Sequence, residues 1–544
     1  MPEPSEIPNL KSKLVRLWPW AAAVLSGLLL VLCFPPWNQG WLCWIALTPL
    51  ICALLFSPNT GRFVPLRKAA LGYVAGIVFI CGSFYWLSTT LSDLYANVWL
   101  LALTPLVALV LGLDIAFWGW FVGAVLLRGE TTPRFPRSLG NLGFAAAGAS
   151  AWIVQEWVRE RLFGGFGWNP LGVALHRDLP MIQIAEFTGT PGLSFLIAFT
   201  NLMAVIIVRR IIGEIGPVFL KRVRWEFSFT MALIAVVFAF GLRALLRPVA
   251  GTSVPLRVVA VQPDIPQADK FDRDAEEKVL AQIERLTSLG TVSAPPPHLV
   301  LWPEAALPSG MFASERNFRF VIDQLQRADF ALLLGTIDFD PQTQEDFNTA
   351  LLLTEHGQRQ QSYRKMHLVP FGEYLPLRPI FAGFVGQLVP GDFTPGREYT
   401  VLELPEPAVK LAALVCFEDT LGDLTRRFVQ NGAQVLVNIT NDGWFAQSPA
   451  AEQHLANAVL RAVENRRTLI RCGNTGVTCA VSPTGHLDRW LPPFQQGFAA
   501  REIRIPVQPR VTFYTRHGDW LCTVGAAITL LAAALAWRRP RLHQ

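Results

Sequence analysis

Two residues with reactive side chains stand at the ends of short apolar runs. Cys416 ends the run 410–416 and is followed by Phe417-Glu418-Asp419. A thiol at a strand end, where a helix could begin, has backbone N–H groups nearby that can lower its pKa and stabilise an oxyanion. Glu304 likewise ends an apolar run, in LWPEAALP, and is a candidate general base. Taken alone, a cysteine in such a position is more often a buried structural thiol.

The remaining cysteines indicate neither a zinc site nor a dense disulfide framework. The 8 cysteines show no CxxC spacing and no clustering with histidine. Most of them lie in apolar segments, where cysteine behaves as a small hydrophobic residue. Cys472 and Cys479 flank GNTGVT and could pair across a hairpin, although buried free thiols are the commoner arrangement.

The composition is that of a membrane protein. Hydrophobic residues make up 51% of the 544 residues and charged residues only 16%, whereas soluble proteins carry about 25% charge. This excludes a disordered chain, a coiled coil and a collagen-like rod. The net charge of +6 does not indicate a nucleic-acid partner, because the basic residues stand beside apolar segments and do not form one patch.

Eight segments are predicted to cross a membrane. They are 17–33, 40–56, 69–90, 97–127, 143–158, 192–209, 227–246 and 519–537. Lys and Arg of the short loops gather almost entirely on one side, which by the positive-inside rule is the cytoplasm. We therefore expect both termini to be cytoplasmic and residues 248–518 to lie on the outer face, which in a bacterial inner membrane is the periplasm.

Residues 248–518 have a different pattern, with short apolar runs separated by amphipathic stretches. The runs 256–262, 298–304, 330–336, 349–354, 410–416, 434–440 and 475–481 read as strands, and 272–289, 314–328, 419–431 and 450–466 as helices. Apolar strands alternating with helices predict a covered α/β sheet. Three regions follow: a membrane domain 1–247, a catalytic domain 248–518, and a C-terminal helix and tail 519–544.

A third candidate, Lys365, lies in YRKMHLVPFGEYLP. Together with WPEAALP and CFED, this segment resembles the Glu-Lys-Cys triad of the nitrilase, or carbon–nitrogen hydrolase, superfamily. With its membrane segments, the whole chain is similar to the bacterial apolipoprotein N-acyltransferase family, including VQPDIPQADKF at 261–271 and NDGWF at 441–445. The chain departs from that family at Phe271, where a tryptophan is expected. The implied fold is a bundle of eight transmembrane helices plus a nitrilase-like αββα sandwich.

The resemblance implies a two-step acyl transfer that needs no cofactor and no metal. Glu304 would take the proton of Cys416, and the thiolate would attack a phospholipid acyl ester. Lys365 and the backbone N–H of Phe417 would stabilise the oxyanion. The thioester on Cys416 would then acylate the α-amine of the N-terminal diacylglyceryl-cysteine of an apolipoprotein. The expected partners are the phospholipid donor, the apolipoprotein acceptor and the bilayer, with no nucleic acid.

Further residues have roles implied by the resemblance, each with a structural alternative. Glu373 and Glu418 would orient the lysine or the amine, or form structural ion pairs. Asn348 would be a site asparagine or a turn cap. Trp444 and Phe445 would line an acyl pocket or fill the core.

The apolar stretch 374–396 is a predicted lid for lipid entry, or else a loop buried on the sheet. The lid residues are Phe381, Phe384, Val385 and Leu388. Asp114 and Glu156 are ionisable residues within membrane segments. Interior hydrogen bonding is their commoner role, and binding of a lipid headgroup is the alternative.

Two other functions remain open from the sequence. A membrane-tethered amidase acting on small amides would use the same triad, but it would not need eight spans and an apolar loop. A non-catalytic transporter or scaffold would not need to keep Glu304, Lys365 and Cys416 intact.

Overall fold

The computed structural model describes most of the chain. The described residues are 6–58, 61–94, 96–128, 137–213, 219–247, 251–270, 272, 274–292, 295–379 and 391–538. They form two compact units. The first contains residues up to Leu162, Asn169–Leu245 and the segment from Asp519 onward, and the second contains Phe163–Trp168 and Leu246–Gly518.

The first unit consists of helices, and the second alternates helices with strands. The α-helices in chain order are α1 (Glu6–Cys33), α2 (Thr48–Phe56), α3 (Val64–Leu94), α4 (Leu103–Trp120), α5 (Ser138–Arg159), α6 (Leu179–Ile182), α7 (Ala185–Gly213), α8 (Phe219–Leu245), α9 (Glu276–Thr291), α10 (Glu315–Arg327), α11 (Gly422–Gln430), α12 (Ala450–Asn465), α13 (Phe513–His517) and α14 (Trp520–Trp537).

Within the described residues, 6 helices are long and apolar enough to cross a membrane. They are Arg16–Cys33, Val64–Leu94, Val98–Val125, Ala185–Ile212, Trp225–Leu245 and Trp520–Trp537. The predicted segment 40–56 is a short apolar helix, Gly40–Phe56. The predicted segment 143–158 lies in α5, which has 22 residues but buries polar side chains such as Asn141 and Gln155. The predicted number of eight is thus not confirmed.

Asp114 and Glu156 are both engaged inside the first unit. Asp114 forms an ion pair with Arg159, with 2.9 Å between Oδ2 and the guanidinium. Oε1 of Glu156 accepts hydrogen bonds from Nε1 of Trp152 at 2.8 Å and from the backbone N–H of Leu171 at 2.7 Å. These contacts fit the interior hydrogen-bonding role, because burial of a carboxylate requires such partners.

The second unit contains two six-stranded sheets. The strands are β1 (Ser253–Gln262), β2 (Leu299–Leu301), β3 (Ala331–Asp340), β4 (Glu345–Thr354), β5 (Arg359–Arg364), β6 (Val401–Leu404), β7 (Val409–Val415), β8 (Val435–Thr440), β9 (Thr468–Gly473), β10 (Thr478–Val481), β11 (Leu487–Leu491) and β12 (Gly497–Pro506). The strand orders are β12-β1-β2-β3-β4-β5 and β11-β10-β9-β8-β7-β6.

Helices cover the sheets, so the central strands are buried. The apolar faces of α9 and α10, with Ile283 and Leu325, pack on β1 to β4 in one hydrophobic core. All residues of β2 and β8 are buried. Near-continuous apolar strands are expected where both faces of a sheet are covered, and this explains why these strands were recognisable in the sequence.

Parallel pairing brings several strand ends together. In the first sheet β1, β2 and β3 are parallel neighbours, and in the second β7, β8 and β9 are. Glu304 follows β2, Cys416 follows β7 and Asn441 follows β8. The carboxyl ends of parallel strands are where open α/β sheets place their sites.

Gly335 in β3 lets the segment that carries Glu304 approach closely. A Cβ at this position would lie 2.5 Å from the Cα of Glu304 and 2.7 Å from the backbone nitrogen of Ala305. Both are backbone atoms, which cannot move aside as a flexible side chain can. The absence of a side chain at Gly335 therefore fixes how near Glu304 lies to the sheet.

We predict that Gly335→Ala displaces the Glu304 segment and lowers the free energy of unfolding by about 1–3 kcal/mol through overpacking. Thermal unfolding of the purified protein would measure this effect. The matched control is Gly143→Ala in α5, because a Cβ there meets no atom of the described residues within 4 Å. Equal melting temperatures for the two variants would contradict the prediction.

Candidate active site

Cys416 occupies a strained turn directly after β7. Its φ is +53°, a left-handed conformation that is costly for any residue other than glycine. The 3₁₀ turn Cys416–Thr420 follows immediately. Two side chains fix this turn by donating to the carbonyl oxygen of Cys416: Nδ2 of Asn438 at 2.9 Å and Nε2 of His454 at 3.2 Å. The predicted helix 419–431 thus begins later, with α11.

Neutral donors hold both oxygens of the Glu304 carboxylate. Oε1 accepts from Nδ2 of Asn348 at 2.8 Å, and Oε2 accepts from the backbone N–H of Asn441 at 3.0 Å. Asn348 also donates to Oε1 of Glu373 at 2.8 Å. Asn348 is therefore a bridge between two carboxylates, and the predicted alternative of a turn cap is wrong because Asn348 lies within β4.

Lys365 follows β5 and lies between the carboxylates of Glu373 and Glu304. Its Nζ is 2.7 Å from Oε2 of Glu373 and 3.8 Å from Oε1 of Glu304. Burial lowers the pKa of Lys365, but Glu373 and then Glu304 outweigh burial, so the pKa is raised above its ordinary value. The ammonium form of Lys365 is therefore favoured, and Glu373 is its nearest counterion.

The environment of Cys416 favours the protonated thiol. Burial raises the pKa of Cys416, and the neighbouring charge of Glu304 raises it further, while Lys365 acts in the opposite direction. The three predicted triad residues are all nearly inaccessible, with exposed fractions of 6% for Glu304, 1% for Lys365 and 8% for Cys416. A thiol in this environment needs a base to become a nucleophile.

Glu418 ties the Cys416 turn to the segment that carries Lys365. Oε1 of Glu418 accepts from the Tyr363 hydroxyl at 2.7 Å and from the backbone N–H of Met366 at 2.9 Å. Oε2 accepts from the backbone N–H of Val415 at 2.9 Å. Burial raises the pKa of Glu418, and Lys365 opposes this shift. These contacts link the end of β7 and the Cys416 turn to the segment 363–366 through one side chain.

Aromatic rings surround the residue after the nucleophile candidate. Phe417 is buried and stacks on Trp168, with centroids 6.0 Å apart and planes at 11°. Phe445 meets Trp168 edge-on at 5.9 Å, and Trp444 is half-buried in the same turn. Phe417, Trp444 and Phe445 were predicted from the sequence. Trp168 was missed, because its segment lies between membrane segments in the chain.

A buried ionic cluster below Cys416 was also missed. Nδ1 of His454 lies 2.9 Å from Oδ1 of Asp442, and Arg471 bonds Asp442 at 2.8 Å and Asp419 at 2.6 Å. Burial and then Arg471 lower the pKa of His454, but Asp419 and Asp442 outweigh them and the pKa is raised. Nε2 of His454 lies 2.7 Å from Oδ1 of Asp419 and 3.2 Å from the carbonyl oxygen of Cys416, so a protonated His454 can donate from both ring nitrogens, with Nε2 shared between Asp419 and Cys416. The only sequence signal was the NDGWF motif, which contains Asp442.

Other predicted features have simpler outcomes. Cys472 and Cys479 are free, buried thiols and do not pair. The predicted lid residues Phe381, Phe384, Val385 and Leu388 lie outside the described residues. Phe271 lies outside them as well. Among the described residues no group of three or more His, Cys, Asp or Glu side chains could hold a metal ion.

Comparison with known proteins identifies the family of the whole chain. The model of the apolipoprotein N-acyltransferase N-terminal domain matches residues 26–203, and the model of carbon–nitrogen hydrolase matches residues 257–505. An apolipoprotein N-acyltransferase of Geobacter metallireducens is 36% identical over 96% of this chain and 96% of its own length. The apolipoprotein N-acyltransferase of Chlorobaculum tepidum is 29% identical over 96% of this chain and 97% of its own length. That of Brucella suis is 28% identical over 99% of this chain and 100% of its own length. The chain therefore belongs to the apolipoprotein N-acyltransferase family.

Proposed function

We propose that this protein transfers a fatty acyl chain from a membrane phospholipid, through a thioester on Cys416, to an apolipoprotein. The acceptor is the α-amino group of the N-terminal diacylglyceryl-cysteine. The observation that carries the proposal is that a thiol, a carboxylate held by neutral donors, and a lysine ammonium group follow the carboxyl ends of β7, β2 and β5 and interact with one another. Membership of the family supplies the substrate classes.

In the first step Glu304 takes the proton of Cys416, and the thiolate sulfur attacks the ester carbonyl carbon of the phospholipid. The negative charge moves to the carbonyl oxygen, where Lys365 and the backbone N–H of Phe417 stabilise it. Removing one such donor typically raises the barrier by about 2.7–4 kcal/mol. The bond to the lysophospholipid oxygen then breaks, and Glu304 returns the proton to that oxygen.

In the second step the acceptor amine attacks the thioester carbonyl. Glu304 takes a proton from the amine, the carbon–sulfur bond breaks, and an amide forms. The Cys416 thiolate then recovers its proton from Glu304. No metal or cofactor takes part in either step, because the phospholipid ester supplies the activated acyl group.

Glu373 is proposed to keep Glu304 available as the base. Nζ of Lys365 lies 2.7 Å from the carboxylate of Glu373 but 3.8 Å from that of Glu304. Lys365 can therefore stabilise the oxyanion in both steps while Glu373, and not Glu304, is its main ion-pair partner. Glu418 is proposed to hold the lysine segment against the Cys416 turn. Phe445 and Trp444 are proposed to contact the acyl chain.

The proposed topology has eight membrane spans, both termini in the cytoplasm and the catalytic domain 248–518 in the periplasm of a bacterial inner membrane. Support comes from the distribution of basic residues and from the 6 apolar helices. The lid around Phe384 remains a prediction from the sequence. A membrane-tethered amidase is not favoured, because the family relatives match the membrane domain as well as the catalytic domain.

The nucleophile can be tested by comparing cysteines. We predict that Cys416→Ala abolishes thioester formation and transfer, and that Cys416→Ser is inactive or strongly impaired because a hydroxyl is far less acidic than a thiol. The control variant Cys472→Ala, which removes another buried free thiol, should keep most of the activity. Transfer of labelled acyl chains to a diacylated N-terminal peptide measures this. Near-normal transfer by Cys416→Ala would refute the assignment.

The topology can be tested in sealed spheroplasts with a membrane-impermeant thiol reagent. A cysteine introduced at the exposed Gln358 should be labelled, whereas one introduced at the exposed Arg137 should be protected. Lysis should make both sites reactive. Equal labelling before lysis would contradict the proposed orientation.

A further inference from the structure

The loop between β1 and α9 contacts the segments that hold the base. It carries most of the VQPDIPQADKF motif. The backbone N–H of Ile265 donates to Oδ1 of Asn474 at 3.0 Å, and Nδ2 of Asn441 donates to Oε1 of Gln267 at 2.8 Å. The backbone N–H of Asn441 in turn holds Oε2 of Glu304. The motif is therefore connected to the general base by successive hydrogen bonds.

Lys270 is the charged residue that this loop places in the interior. Its side chain is 1% exposed, and its Nζ donates to the backbone carbonyl oxygen of Glu304 at 2.8 Å. The next residue, Ala305, has a φ of +42°. A left-handed alanine persists only where its surroundings hold it. The charge-assisted bond from Lys270 is one of the contacts that hold this turn.

The charges around Lys270 belong to the reacting groups. Burial lowers the pKa of Lys270 to about 8, while Glu304 and Cys416 act to raise it. Other charged groups that face Cys416 or Lys365 are Asp442, Glu373 and Glu418. Asp442 is paired with Arg471 and His454, and Lys365 is paired with Glu373. Among the described residues Lys270 forms no ion pair of this kind; its Nζ donates to a neutral carbonyl oxygen.

We propose that Lys270 is a second cation of this site, a positioning residue that fixes the backbone of Glu304 and favours the thiolate form of Cys416. This role rests on the proposed assignment of Cys416 as nucleophile and Glu304 as base. Lys365 is paired with Glu373 and in the proposed mechanism stabilises the oxyanion. Lys270 instead bonds the backbone carbonyl oxygen of Glu304, the proposed base. When the thiol proton moves to Glu304, the charge of Lys270 remains to stabilise the sulfur.

The test uses the full-length protein in detergent and the neutral variants Lys270→Met and Lys270→Gln. The rate of alkylation of Cys416 by iodoacetamide is measured across pH on the Cys416 peptide by mass spectrometry. Loss of a nearby positive charge should raise the midpoint of the profile by about one pH unit, so the rate near neutral pH should fall about tenfold. At alkaline pH, where the thiolate forms without help, the variants should approach the wild-type rate.

Lys278→Met is the matched control. Lys278 lies in α9, its side chain is 72% exposed, and it pairs with Asp269 at 3.3 Å, so its profile should match the wild type. Thermal unfolding confirms that each variant is folded. Folding of at least one neutral variant is expected, since the lost bond leaves only a neutral carbonyl behind.

An unchanged alkylation profile in a folded neutral variant would overturn the proposal. A rate reduced equally at every pH would also overturn it, because displacement of the site slows the reaction regardless of thiolate content. Alkylation needs no lipid, so this result is independent of acyl transfer. Failure of the wild-type protein to form an acyl-Cys416 thioester from phosphatidylethanolamine vesicles would instead refute the proposed function.

Discussion

The ion pair between Lys365 and Glu373 is the interaction on which the rest of the site depends. A buried ammonium group needs a counterion, since an unpaired buried charge is very costly. If Glu304 were that counterion, it would be less able to accept a proton. The distances of 2.7 Å to Glu373 and 3.8 Å to Glu304 resolve this conflict. One carboxylate neutralises the lysine, which in the proposed mechanism leaves the other able to accept the thiol proton.

The same constraint explains the polar groups around the ion pair. Asn348 donates to both carboxylates from one amide nitrogen, and Glu418 fixes the backbone on either side of Lys365 and Cys416. Next to Cys416, Arg471 and two aspartates hold His454 near the Cys416 carbonyl oxygen. Preorganised donors of this kind cost no reorganisation during reaction. The geometry that the proposed mechanism requires is thus built into the sheet ends before any substrate binds.

The sequence predicted the central strands better than the outer ones. Seven apolar runs corresponded to strands, but β5, β6, β9, β11 and β12 were missed. Four of these, all except β9, are edge strands of the two sheets. Edge strands have only one neighbour and keep polar residues, as RQQSYR in β5 illustrates. β9 was missed because it carries Arg471, whose burial is possible only beside the distant Asp419 and Asp442.

The candidate site was predictable to a similar extent. Residue type, strand ends and family resemblance were enough to select Glu304, Lys365 and Cys416. The contributions of Trp168, Lys270 and His454 could not be predicted, because each depends on a contact between segments far apart in the chain. The number of membrane spans was hard to predict for the same reason. Helix α5 carries buried polar residues, and the sequence does not show which residues they contact.

The most direct test of the central claim is the mass of the Cys416 peptide after the purified protein is mixed with phospholipid vesicles and no acceptor. We expect an increase equal to the mass of one fatty acyl group on Cys416. Hydroxylamine should remove this group, as it removes a thioester, and in a separate sample addition of a diacylated N-terminal peptide should remove it too. Transfer of acyl chains to that peptide with Cys416 never acylated would contradict the mechanism.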